Sequence, residues 1–128
     1  MKIKMICCAL SILLLVTALT PAARAEEIDV RLLAYAIENA ARGESYTVMV
    51  SVGAVLINRL TSEFYPSSLA AVITDAGIDI SESEPSSRAL RAAADAVGGF
   101  DPTGGALHYQ NSEYDGKIAL AAASWFFY

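Results

Sequence analysis

The stretch SYTVMVSVGAVLINRL, Ser45 to Leu60, decides how this chain folds. Val48, Met49, Val50, Val52, Val55, Leu56 and Ile57 leave it little polar surface. Its β-branched content is high, so periodicity alone does not separate a buried helix from a buried strand. Length separates them, because sixteen residues exceed an ordinary strand. Gly53 at its middle costs a helix about 1 kcal/mol relative to alanine, a cost that is tolerable where another backbone packs closely. The reading is a central core helix, with Asn58 and Arg59 surfacing at its end.

Amphipathic segments flank it. In Ile28–Ala41, Leu32, Leu33, Ala36, Ile37, Ala40 and Ala41 recur at helical spacing, with Asp29 as N-cap and Gly43 as the stop. After the aromatic turn Phe64-Tyr65-Pro66, Ser67 or Ser68 caps a short helix that runs through Ile73. Asp75–Pro85 reads as an acidic loop, with a short strand at Ile78–Ile80. In Ser86–Val97, Ser87 stands at the start, Ala89, Leu90, Ala93 and Val97 share one face, and Gly98-Gly99 ends the helix. Asp101-Pro102-Thr103-Gly104-Gly105 is a turn, and Ala106–Gln110 reads as a strand. The closing run Trp125-Phe126-Phe127-Tyr128 is either docked on the core or the stump of something longer. The expected class is therefore α+β and mainly helical.

The N-terminus belongs to a different category. Lys2 and Lys4 precede an apolar run from Ile6 to Leu19. Pro21 breaks the run, and Ala23-Arg24-Ala25 fits a cleavage site. Residues 1–25 read as a secretory signal peptide, since the run is shorter than the ~20 residues of a membrane span. An uncleaved anchor is the other reading. Cleavage leaves a 26–128 domain with six basic and fourteen acidic side chains, a net charge of −8. Cys7 and Cys8 leave with the signal, and with them any disulfide, thiol nucleophile or cysteine metal site. At 128 residues there is room for one domain. With 55% hydrophobic residues and a formal charge of −5 over the whole chain, disorder and general nucleic-acid binding are both excluded.

Few residues carry chemistry. The single histidine, His108, cannot build a zinc site without carboxylates spaced to help it, and reads as a hydrogen-bonded strand residue. No nucleophile-elbow pattern surrounds a serine, and no phosphate loop follows Gly104-Gly105. No metal or cofactor is expected. Carboxylates remain. Glu38 and Glu44 flank the end of the first helix beside Arg42. A carboxyl at a helix end facing a groove can act as a general acid. The structural alternatives are an i, i+4 pairing on a solvated face for Glu38, and for Glu44 a favourable charge at the start of the core helix. The acidic run Asp75–Glu84 reads as a solvated loop.

Read in order, Ala41-Arg42-Gly43-Glu44-Ser45-Tyr46, Val50 through Arg59, Phe64-Tyr65-Pro66, Ala71-Val72-Ile73, Asp101 through Tyr109, Asn111 and Ser124-Trp125 resemble the SleB-type cell-wall hydrolases, the spore-cortex-lytic family. The resemblance spans Val30 to Trp125. It implies a lysozyme- or lytic-transglycosylase-like fold with a small β-layer along a glycan groove. It implies peptidoglycan glycan strands as partner, in the wall or the spore cortex, and cleavage between muramic acid and glucosamine. In the family, one glutamate at the end of the first helix protonates the glycosidic oxygen. Here the matching position is Ala40, and alanine has no proton to give. Glu38, two residues earlier, would point about 200° around the helix from position 40, so Glu44 is the better stand-in, while Arg42, Tyr109 and Asn111 remain to bind glycan. The loop after the third helix also departs from the family's Pro-Gly-aromatic pattern. The family continues beyond the Ser-Trp block, so the resemblance implies a C-terminally short domain. Two functions follow: a secreted hydrolase with impaired or displaced catalysis, or a catalytically silent relative that binds glycan or regulates a true hydrolase. Neither requires nucleic acid, or a membrane once the signal is cleaved.

Overall fold

The computed structural model describes residues 28–112, 116–122 and 124–128. Residues 1–25, read from the sequence as a signal peptide, lie outside the described residues. Among the described residues, four helices precede a small sheet: α1 (Val30–Ala41), α2 (Tyr46–Leu60), α3 (Leu69–Asp75), α4 (Ser87–Val97), β1 (Tyr109–Gln110), β2 (Leu120–Ala122) and β3 (Trp125–Phe127). Among the described residues, no helix is long and apolar enough to cross a membrane.

Each helix begins on a capping side chain that accepts from a backbone N–H of its first turn. Asp29 takes Leu32 N, Ser45 takes Val48 N, Ser68 takes Ala71 N and Ser86 takes Ala89 N. α1 ends where Gly43 takes a left-handed φ of 75°, so the chain turns there and restarts two residues later at the Ser45 cap.

The core lies where α2 packs against both α1 and α4. Nine consecutive residues of α2, Val48 to Leu56, are buried, so this helix has no solvent face over two turns. α4 offers it the small side chains Ala89, Ala92, Ala93 and Ala96, and α1 offers Leu33, Ala36 and Ile37. All three helices come together tightly at Gly53. A Cβ built there would lie 2.8 Å from Ile37 Cδ1 and 3.2 Å from Ala96 Cβ. That close approach is why a glycine sits at the middle of the core helix.

The sheet has the order β1-β3-β2, with both pairs antiparallel. Trp125 and Phe127 are buried, so the aromatic C-terminus is docked on the core. The strand expected over Ala106–Gln110 is shorter than the sequence implies. Only Tyr109 and Gln110 pair with β3, although Tyr128 N and O continue the pairing to His108. No strand forms at Ile78–Ile80; that segment is part of an irregular loop, and Ile80 is exposed. An isoleucine-rich triplet needs a partner strand to become β structure, and here the loop runs beside helices.

Ser51 Oγ lies fully inside this core with no hydrogen-bond partner. Two substitutions test the packing in opposite directions. Gly53→Val should lower unfolding free energy by about 1–3 kcal/mol through overpacking, despite its better helix propensity. Ser51→Ala should leave stability unchanged or raise it, since it removes an unsatisfied hydroxyl. Urea midpoints at constant m-value check both.

Candidate active site

The C-terminal turn of α1, the loop after α3 and the β1 edge enclose a groove of about 550 Å³. Asn39 and Ala40 come from α1, and Gly77, Ile78, Asp79 and Glu82 from the loop. Tyr109, Gln110 and Asn111 come from β1 and the residue after it, and Trp125 from β3. Three residues expected from the sequence therefore meet here: Ala40, Tyr109 and Asn111. Arg42 and Glu44 are not among the lining residues.

The neighbours of Ala40 on α1 explain the division. At about 100° per residue, positions 38 and 40 point roughly 200° apart around the helix. Position 40 faces the groove and position 38 faces α4. Glu38 is 7% exposed. Its Oε2 accepts from Ser86 N at 3.1 Å and Ser86 Oγ at 2.7 Å, and Arg42 Nε lies 3.5 Å from Oε1. The i, i+4 pairing anticipated from the sequence is present, but the solvated face is not. Glu38 is a buried tie from the end of α1 to the start of α4. Glu44 lies in the turn between α1 and α2, where its N–H donates to Ala41 O.

The groove floor hangs from the end of α2. Instead of simply surfacing, Asn58 and Arg59 are half-buried. Asn58 Nδ2 donates to Ala106 O and Asp101 Oδ2, each at 3.0 Å, and Arg59 Nε donates to Leu107 O at 2.8 Å. The Arg59 guanidinium also lies 4.8 Å from the Tyr65 ring centroid and 6.0 Å from that of Tyr109. Tyr109 tilts against Trp125 and Phe127, with centroids 5.6 Å and 6.2 Å away. Burial raises the Tyr109 phenol above its ordinary pKa, and the nearby Arg59 charge only partly opposes this. The phenol is therefore a neutral hydrogen-bonding group in the groove at physiological pH. His108 stacks on Tyr128, with centroids 5.2 Å apart, outside the groove lining.

The loop wall was not legible as part of a site. Asp79 accepts from Ser81 N at 2.8 Å and Ser81 Oγ at 2.6 Å. These bonds hold its carboxyl below the usual range, and desolvation opposes them only weakly. Asn39 Nδ2 donates to Tyr35 O at 2.8 Å and reaches across to Ser83 O at 3.3 Å, tying the loop to α1. Asp79, Glu82 and Asn39 look in sequence like ordinary solvated polar residues. Only the return of the chain past α1 brings them to the groove. Among the described residues, no three His, Cys, Asp or Glu side chains converge on a metal position.

A helical core with a small three-stranded sheet flanking a groove at the end of the first helix defines a lysozyme-like hydrolase architecture. A family profile described as Cell Wall Hydrolase matches residues 43–126, so the chain belongs to the cell-wall hydrolase family of SleB type. The profile match begins after Ala40. The chain is 38% identical over 91 residues to a spore cortex-lytic enzyme of Oceanobacillus iheyensis, covering 66% of this chain and 33% of that protein. It is 40% identical over 91 residues to the spore cortex-lytic enzyme of Bacillus subtilis, covering 66% and 30%. It thus spans about a third of the length of these relatives. In structure it is similar to the catalytic domain of the Bacillus cereus SleB protein, with a TM-score of 0.66 and 29% identity over 80% of this chain and 92% of that one. The catalytic domain of a germination-specific lytic transglycosylase, SleB from Bacillus anthracis, matches at 0.65 with 30% identity over 80% and 94%.

Asp101 organises the turn that leads into β1. It accepts from Thr103 N, Thr103 Oγ1, Gly105 N and Asn58 Nδ2. Partial burial pushes its carboxyl up, but these bonds together push it further down, and its pKa ends below the usual range. A depressed folded-state value contributes stability above the unfolded pKa, and that stability is lost as pH falls through the folded one. Stability should therefore decline on the acid side of pH 4. Asp101→Asn should lose stability near neutrality and flatten part of that decline, as read by thermal unfolding between pH 7 and pH 2.

Proposed function

We propose that this protein works outside the cytoplasm, on the glycan strands of peptidoglycan, in the wall or the spore cortex. Its groove holds the strand near the muramic acid–glucosamine linkage, and its cleavage is impaired. One observation carries the reading: Ala40, the position where the family places its proton-donating glutamate, lines the groove and presents only a methyl group. Tyr109, Gln110, Asn111 and Asn39 give that groove neutral hydrogen-bonding groups, and Trp125 gives it an aromatic surface. This is a wall chemistry suited to hydroxyls and acetamides. The signal-peptide reading of residues 1–25 supports export to that substrate. Removal of a general acid lowers rate by about 10²–10⁴-fold without requiring any loss of binding. The same observation favours a second reading, a silent relative that holds glycan and leaves cleavage to another enzyme.

The test compares the natural protein with Ala40→Glu on intact peptidoglycan and on cortex containing muramic-δ-lactam, with released fragments weighed by mass spectrometry. Trp125 is the single tryptophan of the chain and lines the groove, so its fluorescence reports occupancy. The expected result is a Trp125 response to glycan in both proteins, and fragment release faster in Ala40→Glu by about 10²-fold or more. Equal release from the two would place the proton donor elsewhere. Release only from the variant would identify the natural protein as a binding relative. No Trp125 response in either protein would remove the groove as a glycan site.

A further inference from the structure

His108 lies outside the groove lining, yet it belongs to a row of aromatic side chains that meets the groove. Successive residues of a strand face opposite sides of a sheet, and directly paired residues of neighbouring strands share a side. Tyr109 pairs with Phe127, and Gln110 pairs with Phe126. His108 exchanges both backbone hydrogen bonds with Tyr128, at 2.8 Å and 3.0 Å, so these two are paired as well. Tyr109 and Phe127 pack together on the core side. His108, Gln110, Phe126 and Tyr128 therefore share the outer side, where His108 is exposed and the other three are half-buried.

That outer side is ordered by contacts between rings. The His108 ring stacks on Tyr128 with the two planes 19° from parallel. Tyr65 stands at the far end of the row. Its ring centroid lies 6.2 Å from that of His108, and its Oη lies 3.4 Å from each imidazole nitrogen. At the near end Tyr128 Oη donates to Gln110 Oε1 at 3.1 Å, and Gln110 lines the groove. β1 thus lines the groove from both of its sides, with Tyr109 from the inner and Gln110 from the outer. Gln110 is where the groove wall passes onto the aromatic row.

We infer that Tyr65, His108 and Tyr128 form an outer subsite for the same glycan strand, on which the sugars that leave the groove past Gln110 stack. This rests on the reading of the groove as a glycan site. A glycan strand is a long polymer, so a groove of about 550 Å³ holds only part of it, and the remainder runs over what borders the groove. A pyranose ring offers an apolar face of C–H groups and a rim of hydroxyls and acetamides. Rings with phenol and imidazole tips offer the complement, a flat apolar surface with hydrogen-bonding groups at its edge. The row itself contains no carboxylate, whereas the loop wall of the groove carries Asp79 and Glu82. Aromatic surface left in water on a folded domain marks a contact surface, and its junction with the groove at Gln110 makes the strand its occupant.

The experiment titrates the purified protein with two peptide-free ligands, the disaccharide repeat of peptidoglycan and full-length glycan strands, and reads the Trp125 fluorescence response. His108→Ala removes an exposed ring and keeps the backbone pairing with Tyr128, so the fold is retained, which an unchanged urea midpoint checks. Its dissociation constant for full-length strands should rise about tenfold, the factor that loss of one aromatic stacking contact gives, while that for the disaccharide stays as in the natural protein. Long strands carry many overlapping sites, and the ratio between the two proteins cancels that factor. His108→Phe keeps a ring and should bind strands as the natural protein does. Strand affinity unchanged in His108→Ala would overturn the outer subsite. An equal loss for disaccharide and strand would also overturn it, since the effect would then act inside the groove. A loss in His108→Phe as large as in His108→Ala would overturn stacking as the contact. Each of these results leaves the Trp125 response of the natural protein in place. Absence of any response would instead remove the groove as a glycan site, and the outer subsite with it.

Discussion

The close approach of three helices at Gly53 governs the rest of the molecule. Because the central helix lacks a side chain there, Ile37 of α1 and Ala96 of α4 converge on one point of its backbone. Alanines along α4 let that helix lie near without large side chains between. Dense interiors do not deform continuously, so this contact fixes the direction in which α1 leaves the core. The last turn of α1 carries Asn39 and Ala40, and its placement sets one wall of the groove.

The other wall and the floor are set by polar ties rather than by packing. The end of α2 holds the 101–107 turn through Asn58 and Arg59, and that turn delivers Tyr109, Gln110 and Asn111 to the groove. Such ties fit a small sheet. A β-layer of two- and three-residue strands has too few ladder bonds to define its own position. The buried aromatics Trp125 and Phe127 supply the apolar anchor, and the α2 terminus supplies the register.

This difference explains what was readable in the chain. The helices were legible because each has a capping residue and an apolar face, both local signals: Asp29, Ser45, Ser68 and Ser86 mark the starts within a residue or two. Ala40, Tyr109 and Asn111 were legible as a set only through their match to a family pattern, and the structure brings those three to one groove. The placements of Glu38 and Glu82 were not legible. Glu38 looks like a solvated helix residue until Ser86, 48 residues later, returns to it. Glu82 sits in an acidic loop with no periodicity. The side of such a loop that faces a groove depends on contacts with α1 that no local pattern encodes.

The two positions near the end of α1 carry different structural loads. Glu38 faces inward and supports α4. Its carboxylate is buried with its acceptor capacity used by Ser86, and its removal would strand those donors. Position 40 faces the groove and packs only at the edge of the core. A carboxyl held partly desolvated at such a position costs free energy in the folded state, the usual tension between a site and its scaffold. Alanine there relieves that cost, improves helix propensity and leaves Asn39, Tyr109 and Trp125 in place. The scaffold therefore exerts no pressure to keep an acid at position 40.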